Sequence, residues 1–494
     1  MNNRSIIIIG AGVAGLSAGS YAQMNGFNST ILEQHAIPGG SCTAWRRKGY
    51  TFDYCIHDLA GISPESDAHF IWQELGALAN KPVHFHDEFW RTEDSHGNRL
   101  HAYTNAERMI RQLMEIAPED EETIREYEKG LKAFSKFEFL AIPVLGSRGI
   151  LKALANLPAI MKWGGITMDA FAKKFTNPFL RTAFATMQYD FSGIPMMLHL
   201  SFMASSQNHQ LGWPVGGSLD FANSMAKRYQ SLGGDLKLKS GVEKIVVEDG
   251  KAAGVQLMNG EILRADIIIS AADGYSTIYK MLDRKYSNEA IDTYYKSEPE
   301  TQEMSLHISL GVNRDLSTEP RALTILLDAP TRIADITTDR LDIEFFGFEP
   351  AFAPKGKGVV KVLVKSGYRF WKDLKENKEA YQDAKDTAIA EVLKILETKF
   401  PGISGQVEVT DVATPVTAER FLGSRFGFQA WASKNFFKTM MSGLSITLPG
   451  LDKFYMTGQW AMANIGVSTA AISSRNLIKR ICKKEGKKFI TSKV

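Results

Sequence analysis

An α/β fold built on a parallel sheet is predicted by three observations in the first 35 residues. Ile6 to Ile9 are four β-branched apolar residues without alternation, as expected of a strand buried on both faces. Gly10, Gly12 and Gly15 follow directly in G-x-G-x-x-G spacing, and Ala14, Leu16, Ala18, Ala22 and Met24 continue as a helix. A second strand, STILEQ, ends at Glu33.

Each of these pieces has a physical use in holding a dinucleotide. Gly10 permits a tight turn, Gly12 lets backbone approach a pyrophosphate, and Gly15 lets helix and strand pack closely. The free N–H groups at the helix start face phosphate charge. Glu33 lies where an acidic residue reaches a ribose hydroxyl. Arg4 and the apolar run also read as a secretory signal peptide. Such a segment has no use for the glycine spacing or for Glu33 at that distance, and its apolar core prefers leucine to glycine.

Bulk properties set the frame. The 494 residues suffice for two or three domains, and 44% hydrophobic and 23% charged residues are those of an ordinary globular protein. A net charge of +3 argues neither for nor against nucleic acid, and no such partner is expected. The three cysteines, Cys42, Cys55 and Cys482, form no C-x-x-C pair, so neither a disulfide framework nor a zinc site is expected and a reducing compartment is natural. No uninterrupted apolar run is long enough for a transmembrane helix. The expected location is the cytoplasm, with peripheral attachment at the inner face of a membrane compatible with the sequence. The oligomeric state is left open.

Along the chain, Gly39 and Gly40 follow a proline and suit a loop passing close to a ligand. Arg46, Arg47 and Lys48 add positive charge near where a second phosphate would lie, and YTFDY alternates as a short strand. Residues 105–134 read as two amphipathic helices, the second opening at Pro118 with acids in its first turn. Residues 134–165 are apolar with few charges, and a helical stretch runs on to about His209. A helix is expected over Leu219–Leu232 and a strand through Leu236 and Leu238. Two strands, Val242–Val247 and Ala253–Leu257, join at Asp249–Gly250, with a second hairpin turn at Asn259–Gly260. DIIISAAD is another buried strand. Residues 290–440 mix strands (LHISLGV, VVKVLVKSG) with a helix from about Asp383 to Phe400. The strand KFYMTGQW and the helix STAAISSRNLIKRI close the chain, and no second glycine motif marks a separate nicotinamide domain.

Three separated blocks carry a family resemblance: Ile6–Gly61 (GAGVAGLSAG, LEQ, GGSCTAWRRKGYTFD, CIHDLAG), Trp213–Asp273 (PVGG, GVEKIVVEDGKAAGV, ADIIISAAD) and Phe454–Asn476. In order and spacing they resemble the FAD-dependent phytoene desaturase family, which includes carotenoid isomerases and retinol saturases. The resemblance implies a Rossmann-like FAD-binding domain of the glutathione-reductase/amine-oxidase type, with an inserted mixed α+β substrate domain. The FAD-binding domain is expected from residues 1–80, 213–285 and 441–494, and the substrate domain from 81–212 and 286–440. The resemblance carries FAD binding to Gly10, Gly12, Ala14, Gly15, Glu33 and Gln34, to Gly39, Gly40 and Arg47 on the phosphate-side loop, to Val242 at the adenine, and to Gly458, Gly466 and Val467 in the C-terminal flavin motif. Two departures fall near the expected flavin ring: Cys55 stands where glycine is common, and Asn464–Gly466 replaces a more glycine-rich run.

The implied chemistry is hydride exchange at flavin N5 with carbon–carbon bonds of a hydrophobic polyene or isoprenoid, in a long apolar tunnel. Residues 134–165 and the Met- and Phe-rich stretch 184–203 fit such a lining, although core packing explains any single residue there as well. The 134–165 segment, flanked by Lys152 and Lys162, is also compatible with docking on a membrane, and the lysine-rich C-terminus with attraction to anionic lipid or with a solvated tail. His57 and Asp58 are the catalytic candidates, as proton donors or acceptors; His57 as a hydrogen-bonding partner of the flavin or backbone is the equal alternative. Tyr189 and Asp190 are weaker candidates, Gln459 and Trp460 are expected to flank the flavin, and His84 and His86 lack a third ligand for a metal. Two competing readings are a flavin amine oxidase, for which Trp431 and Trp460 leave an aromatic cage open, and a non-catalytic lipid-binding flavoprotein.

Overall fold

The computed structural model describes residues 4–138, 140, 144–187, 193–296, 303–426, 445–459 and 466–494. Its centre is a five-stranded parallel sheet. In spatial order the strands are Asp235–Lys237, β2 (Asn28–Leu32), β1 (Ser5–Ile9), Ile267–Ser270 and Phe454–Met456. The chain rises through β1, crosses over through helix α1 (Val13–Met24), and returns as β2. Both edges of β1 are paired in the sheet's middle, so the absence of polar alternation in Ile6–Ile9 has its reason: these side chains are 0–4% exposed. Burying each contributes about 1.5–3 kcal/mol. Strand order reverses beside β1, and this switch point opens a crevice at the carboxyl ends of the strands.

Helix α1 is made of small residues almost all round because it is packed on every side. The sheet lies beneath it, and the helices Gly217–Ser231 and Val467–Lys484 flank it. Gly15 is the closest approach: a Cβ there would sit 1.9 Å from the Gly10 carbonyl oxygen. The expected hairpins also form. Val242–Glu248, Lys251–Leu257 and Ile262–Arg264 make an antiparallel sheet, and the first turn places Asp249 and Gly250 at φ 48° and 73°.

Most of the other described residues form a seven-stranded sheet and a helical layer. The sheet runs Val407–Ala413, Glu303–Val312, Gly358–Gly367, Ile336–Phe345, Ala322–Ile333, Glu88–Glu93, Arg99–Tyr103, all antiparallel except the Ala322–Ile333/Glu88–Glu93 pair. The long hairpin of Ala322–Ile333 and Ile336–Phe345 was not among the strands singled out by sequence pattern. The 22-residue helix Lys378–Lys399 covers one face. The two predicted amphipathic helices are Ala106–Ile116 and Glu121–Phe134, with Pro118–Asp120 a 3-10 turn between them. They pack with Met196–Gln207 around Tyr127, whose hydroxyl meets His199 at 2.8 Å in the core.

Candidate active site

A single cavity of about 1930 Å³ runs from the parallel sheet to the seven-stranded sheet. At one end it is lined by Gly10, Gly12 and Ala14, by Glu33 and Gln34, and by Gly39 and Gly40. The glycine loop is tied down by Gly39 N–H donating to the Ala11 carbonyl at 2.8 Å. Gly39 holds φ 121°, and a Cβ there would meet the Cys42 carbonyl oxygen at 2.3 Å. Glu33 is buried at the end of β2, where its carboxylate accepts from the backbone N–H groups of Ala11 (2.8 Å) and His35 (2.9 Å). Val242, Gly458, Gly466 and Val467 complete this end. Gly458 is fixed by its N–H donating to Ser473 Oγ at 3.0 Å, while Ser474 Oγ donates to the Ala14 carbonyl at 2.8 Å.

A dinucleotide fits this cradle. The α1 N-terminus, at Gly12, has no side-chain cap, so its first N–H groups are available to phosphate. Buried Glu33 stands at the end of β2 beside it, and the facing loop is glycine. Buried Asp273 also lines the cavity, and its Oδ2 has no hydrogen-bond partner among the described residues. Burial raises its pKa to about 6, against the Ser276 N–H that donates to Oδ1.

Two of the sequence-predicted cofactor residues stand outside the cavity lining. Gly15 serves helix–strand packing, as its spacing implies. Arg47 lies on a hairpin. It ends β3 (Ala44–Arg47), which pairs with β4 (Tyr50–Asp53), and the hairpin carries its tip away from the glycine loop. Five residues of extended chain separate Cys42 from Arg47, about 16 Å. The Arg47 guanidinium pairs with Asp411 at 3.1 Å, Lys48 Nζ reaches the Glu408 carbonyl at 3.5 Å, and Arg46 is exposed.

His57 and Asp58 line the middle of the cavity and belong to one buried charge network. His57 Nδ1–H donates to Glu344 Oε1 at 2.5 Å, and Glu344 Oε2 pairs with Lys361 Nζ at 2.6 Å. Arg321 pairs with Asp58 at 2.8 Å and donates to the His57 carbonyl at 3.0 Å. Lys361 also reaches the Asp53 carbonyl at 3.3 Å, and the Asp53 carboxylate accepts from the Ser218 hydroxyl (2.6 Å) and N–H (2.7 Å). Burial alone would push Glu344 up; His57 and Lys361 overcome it and hold the carboxyl well below its usual range. Burial raises Asp58 and Asp53, opposed chiefly by Arg321 and by Lys361 respectively. The Glu344 carboxylate thus fixes the orientation of the His57 ring through Nδ1. Beside it, buried His307 stacks on Tyr54 at 4.6 Å and is kept neutral by burial and then by Lys361.

Away from the cradle the lining mixes apolar side chains, Leu140, Ile194, Leu198, Phe202, Ile336 and Leu363, with polar ones, among them Glu138, Asp169, Thr337, Asp339, Arg340, Asp342 and Lys365. Of the two stretches expected to line a tunnel, 134–165 contributes Glu138 and Leu140, and 184–203 contributes residues from Gly193 onward. Phe184, Met187, Met196, Met197 and Met203 are core instead. The helices Ser147–Ala155 and Leu157–Gly164 turn apolar side chains outward: Ile150, Leu151, Leu154, Leu157 and Met161 are 45–72% exposed. Lys152 and Lys162 pair with Asp67 and Glu126. No described helix is long and apolar enough to cross a membrane. The C-terminal segment is partly tied back, with Lys487 Nζ donating to the carbonyls of Asn25 and Gly26 at 3.1 Å. His84 and His86 pack on Phe348, and among the described residues no group of three His, Cys, Asp or Glu could hold a metal. Gln459 lines the cavity; Tyr189, Asp190, Trp431 and Trp460 lie outside the described residues.

Sequence reasoning missed Glu344, Lys361 and Arg321. The available signal was a lone charge inside an apolar run for Lys361, within Val359–Val364; Glu344, in a strand that also carries Asp339, Arg340 and Asp342, gave none.

Residues 8–75 match the family model of an NAD(P)-binding Rossmann-like domain. The chain is similar to prolycopene isomerase 2, chloroplastic, of an Oncidium hybrid cultivar, 25% identical and covering 94% of this chain and 82% of that protein. It is 25% identical to the neurosporene-forming phytoene desaturase of Cereibacter sphaeroides over 59% of this chain and 57% of that one. It is 22% identical to the all-trans-retinol 13,14-reductase of Danio rerio, over 96% and 85%. Among solved structures, an oxidoreductase from Methanosarcina mazei matches with TM-score 0.63 at 17% identity, covering 96% of this chain and all of that one. Putrescine oxidase matches with TM-score 0.60 at 12% identity over 98% and 99%, a likeness of fold alone.

Proposed function

We propose that this protein is an FAD-dependent oxidoreductase acting on carbon–carbon bonds of a hydrophobic polyene or isoprenoid, by desaturation, saturation or isomerisation. One observation carries the reading: the glycine–Glu33 cradle and the side chains of Leu198, Phe202, Ile336 and Leu363 line one cavity, which also contains His57 and Asp58 of the buried charge network. At about 1930 Å³ the space is about twice that of a large drug-sized site, room for a dinucleotide and a long substrate together. Relatives named for prolycopene, phytoene and retinol support the same substrate class.

Bound FAD supplies two-electron hydride exchange with the substrate's carbon skeleton. The chain's residues do the rest. Gly12, Gly39 and Gly40 admit the pyrophosphate, and Glu33 takes the ribose hydroxyls. Leu198, Phe202 and Leu363 exclude water and orient a substrate that offers no charged handle. His57, held by Glu344, gives or takes a proton at Nε2, while Asp58 is kept in place by Arg321. The FAD-binding part comprises residues 1–80, 213–285 and 441–494, and the remainder holds substrate. The exposed apolar face of Ile150, Leu151, Leu154 and Met161 docks on a lipid surface, from which a polyene reaches the cavity.

The test is product analysis with FAD-loaded protein and a panel of carotenoid- and retinoid-like polyenes. Loss of two hydrogens marks a desaturase, gain of two a saturase, and an absorption shift without mass change an isomerase. Oxidation of an amine with no polyene converted would overturn the reading in favour of an amine oxidase. Failure to co-sediment with anionic liposomes would remove the docking role alone.

A further inference from the structure

The hairpin of β3 and β4 carries chemistry that the proposed reaction does not use. Its ladder pairs Arg47 with Tyr50, Trp45 with Phe52 and Ala44 with Asp53. It continues one step further, because Tyr54 N–H donates to the Thr43 carbonyl at 3.0 Å. The tip is a two-residue turn, Lys48 at φ 48° and Gly49 at φ 88°. Pairs in such a hairpin alternate from the closing pair, so 47/50 and 45/52 are hydrogen-bonded, while 43/54 keeps one bond and Thr43 N–H turns to the Ser41 carbonyl at 2.9 Å. The ladder ends there. Cys42 and Cys55 are the residues immediately beyond this last bond, one on each strand, and their side chains are in hydrogen-bonding contact. Thiols in such contact are close enough to be joined by a disulfide.

The two thiols share one face and one environment. Both line the cavity, Cys42 fully buried and Cys55 partly. Cys42 S–H lies 3.3 Å from the Ser218 carbonyl. The contact between the thiols acts oppositely on the pair: the Cys42 hydrogen bond holds Cys55 below the usual thiol range, while the same contact, and then burial, raise Cys42. Ser41 and Lys361 add to the lowering at Cys55. The less buried residue, Cys55, is thus the nucleophile and Cys42 the resolving thiol. The third cysteine, Cys482, is buried in the last helix.

We propose that Cys42 and Cys55 form a reversible redox pair, a dithiol that a small disulfide converts to an intramolecular disulfide in the wall of the cavity. The Cys55 thiolate attacks one sulfur of the external disulfide, breaking its S–S bond and releasing one thiolate. The Cys42 thiolate, its proton passed to solvent, then attacks the Cys55 sulfur and expels the second thiolate. Two protein thiols lose two electrons and two protons, and one external disulfide gains them. The Cys42 N–H donates to the Gly39 carbonyl at 3.0 Å, so the cross-link is anchored on the loop that faces the dinucleotide cradle. Its formation depends on the hairpin alone and not on the proposed substrate.

The experiment treats the full-length Cys482→Ser protein, native and then in denaturant, with 2,2′-dithiodipyridine, counting released pyridinethione and weighing the protein. The native protein is expected to release two thiones per chain, lose two hydrogens and carry no pyridyl adduct. Proteolysis should link the peptide containing Cys42 to that containing Cys55, and dithiothreitol should restore both thiols. In the denatured chain, adducts should appear before the link. Two stable pyridyl adducts on the native protein, or no reaction with a folded native chain, would overturn the proposal. Cys55→Ser in the same background checks the assignment: Cys42 should then react at least tenfold more slowly. An unchanged Cys42 rate would refute the order of attack.

Discussion

Replacing Glu344 with glutamine tests the buried charge network. Glu344 and Lys361 are paired at 2.6 Å with side chains 4% and 1% exposed, and His57 donates to the other carboxylate oxygen at 2.5 Å. The amide leaves Lys361 buried without its counter-charge. Breaking a buried pair on one side costs about 3–5 kcal/mol. The sign with pH follows from the carboxyl's depressed folded-state value. Its stabilisation is present above the ordinary value of 4.5 and is lost as pH falls through the folded value. The difference between wild type and Glu344→Gln should therefore be full at neutral pH and shrink in acid. The assay is urea denaturation followed by tryptophan fluorescence at neutral pH and near pH 4. The double variant Glu344→Leu/Lys361→Met should recover most of the loss, since removing both charges removes the uncompensated one. A neutral-pH loss under about 1 kcal/mol, or a loss independent of pH, would refute a network built on this pair.

Other residues offer separate tests. Glu33→Ala should weaken FAD binding about 10- to 100-fold, the worth of a charge-assisted hydrogen bond, as read by quenching of flavin fluorescence. Gly15→Ala should cost at least about 1–3 kcal/mol in denaturation, because its Cβ would lie 1.9 Å from the Gly10 oxygen. Arg47→Ala, by contrast, should change stability by no more than about 0.5 kcal/mol and leave FAD affinity unaltered, since its partner is Asp411. Asp273 has a folded-state pKa of about 6 against an ordinary 3.8, so its contribution is fully present below 3.8 and lost as pH rises through 6. Asp273→Asn should accordingly gain up to about 3 kcal/mol over wild type at neutral pH, with the gap closing by about pH 4.

The parts legible in the sequence are those written in local order. Four isoleucines, three glycines and Glu33 fall within 28 residues and fold into one strand–helix–strand unit, so their spacing is their geometry. The Asp249–Gly250 turn is likewise local. What was not legible depends on long-range pairing. Glu344 meets His57 across 287 residues of chain, and only the seven-stranded sheet brings them together. Arg47 has the right charge and lies close in sequence to the glycine loop, but a two-residue turn at Lys48–Gly49 sends it toward Asp411. The outward face of Ile150–Met161 could not be told from core by composition, because apolar periodicity is the same whichever way a helix rolls.

The most direct test of the central claim is the anaerobic visible spectrum of the FAD-loaded protein, recorded in each flavin redox state before and after adding polyene. The account predicts retained flavin bands and one of three responses. Oxidised flavin bleaches, pre-reduced flavin is reoxidised, or the polyene bands shift catalytically while the flavin is unchanged. A protein that retains no flavin after loading, or a flavin and a polyene that leave each other unchanged in both redox states, would contradict it.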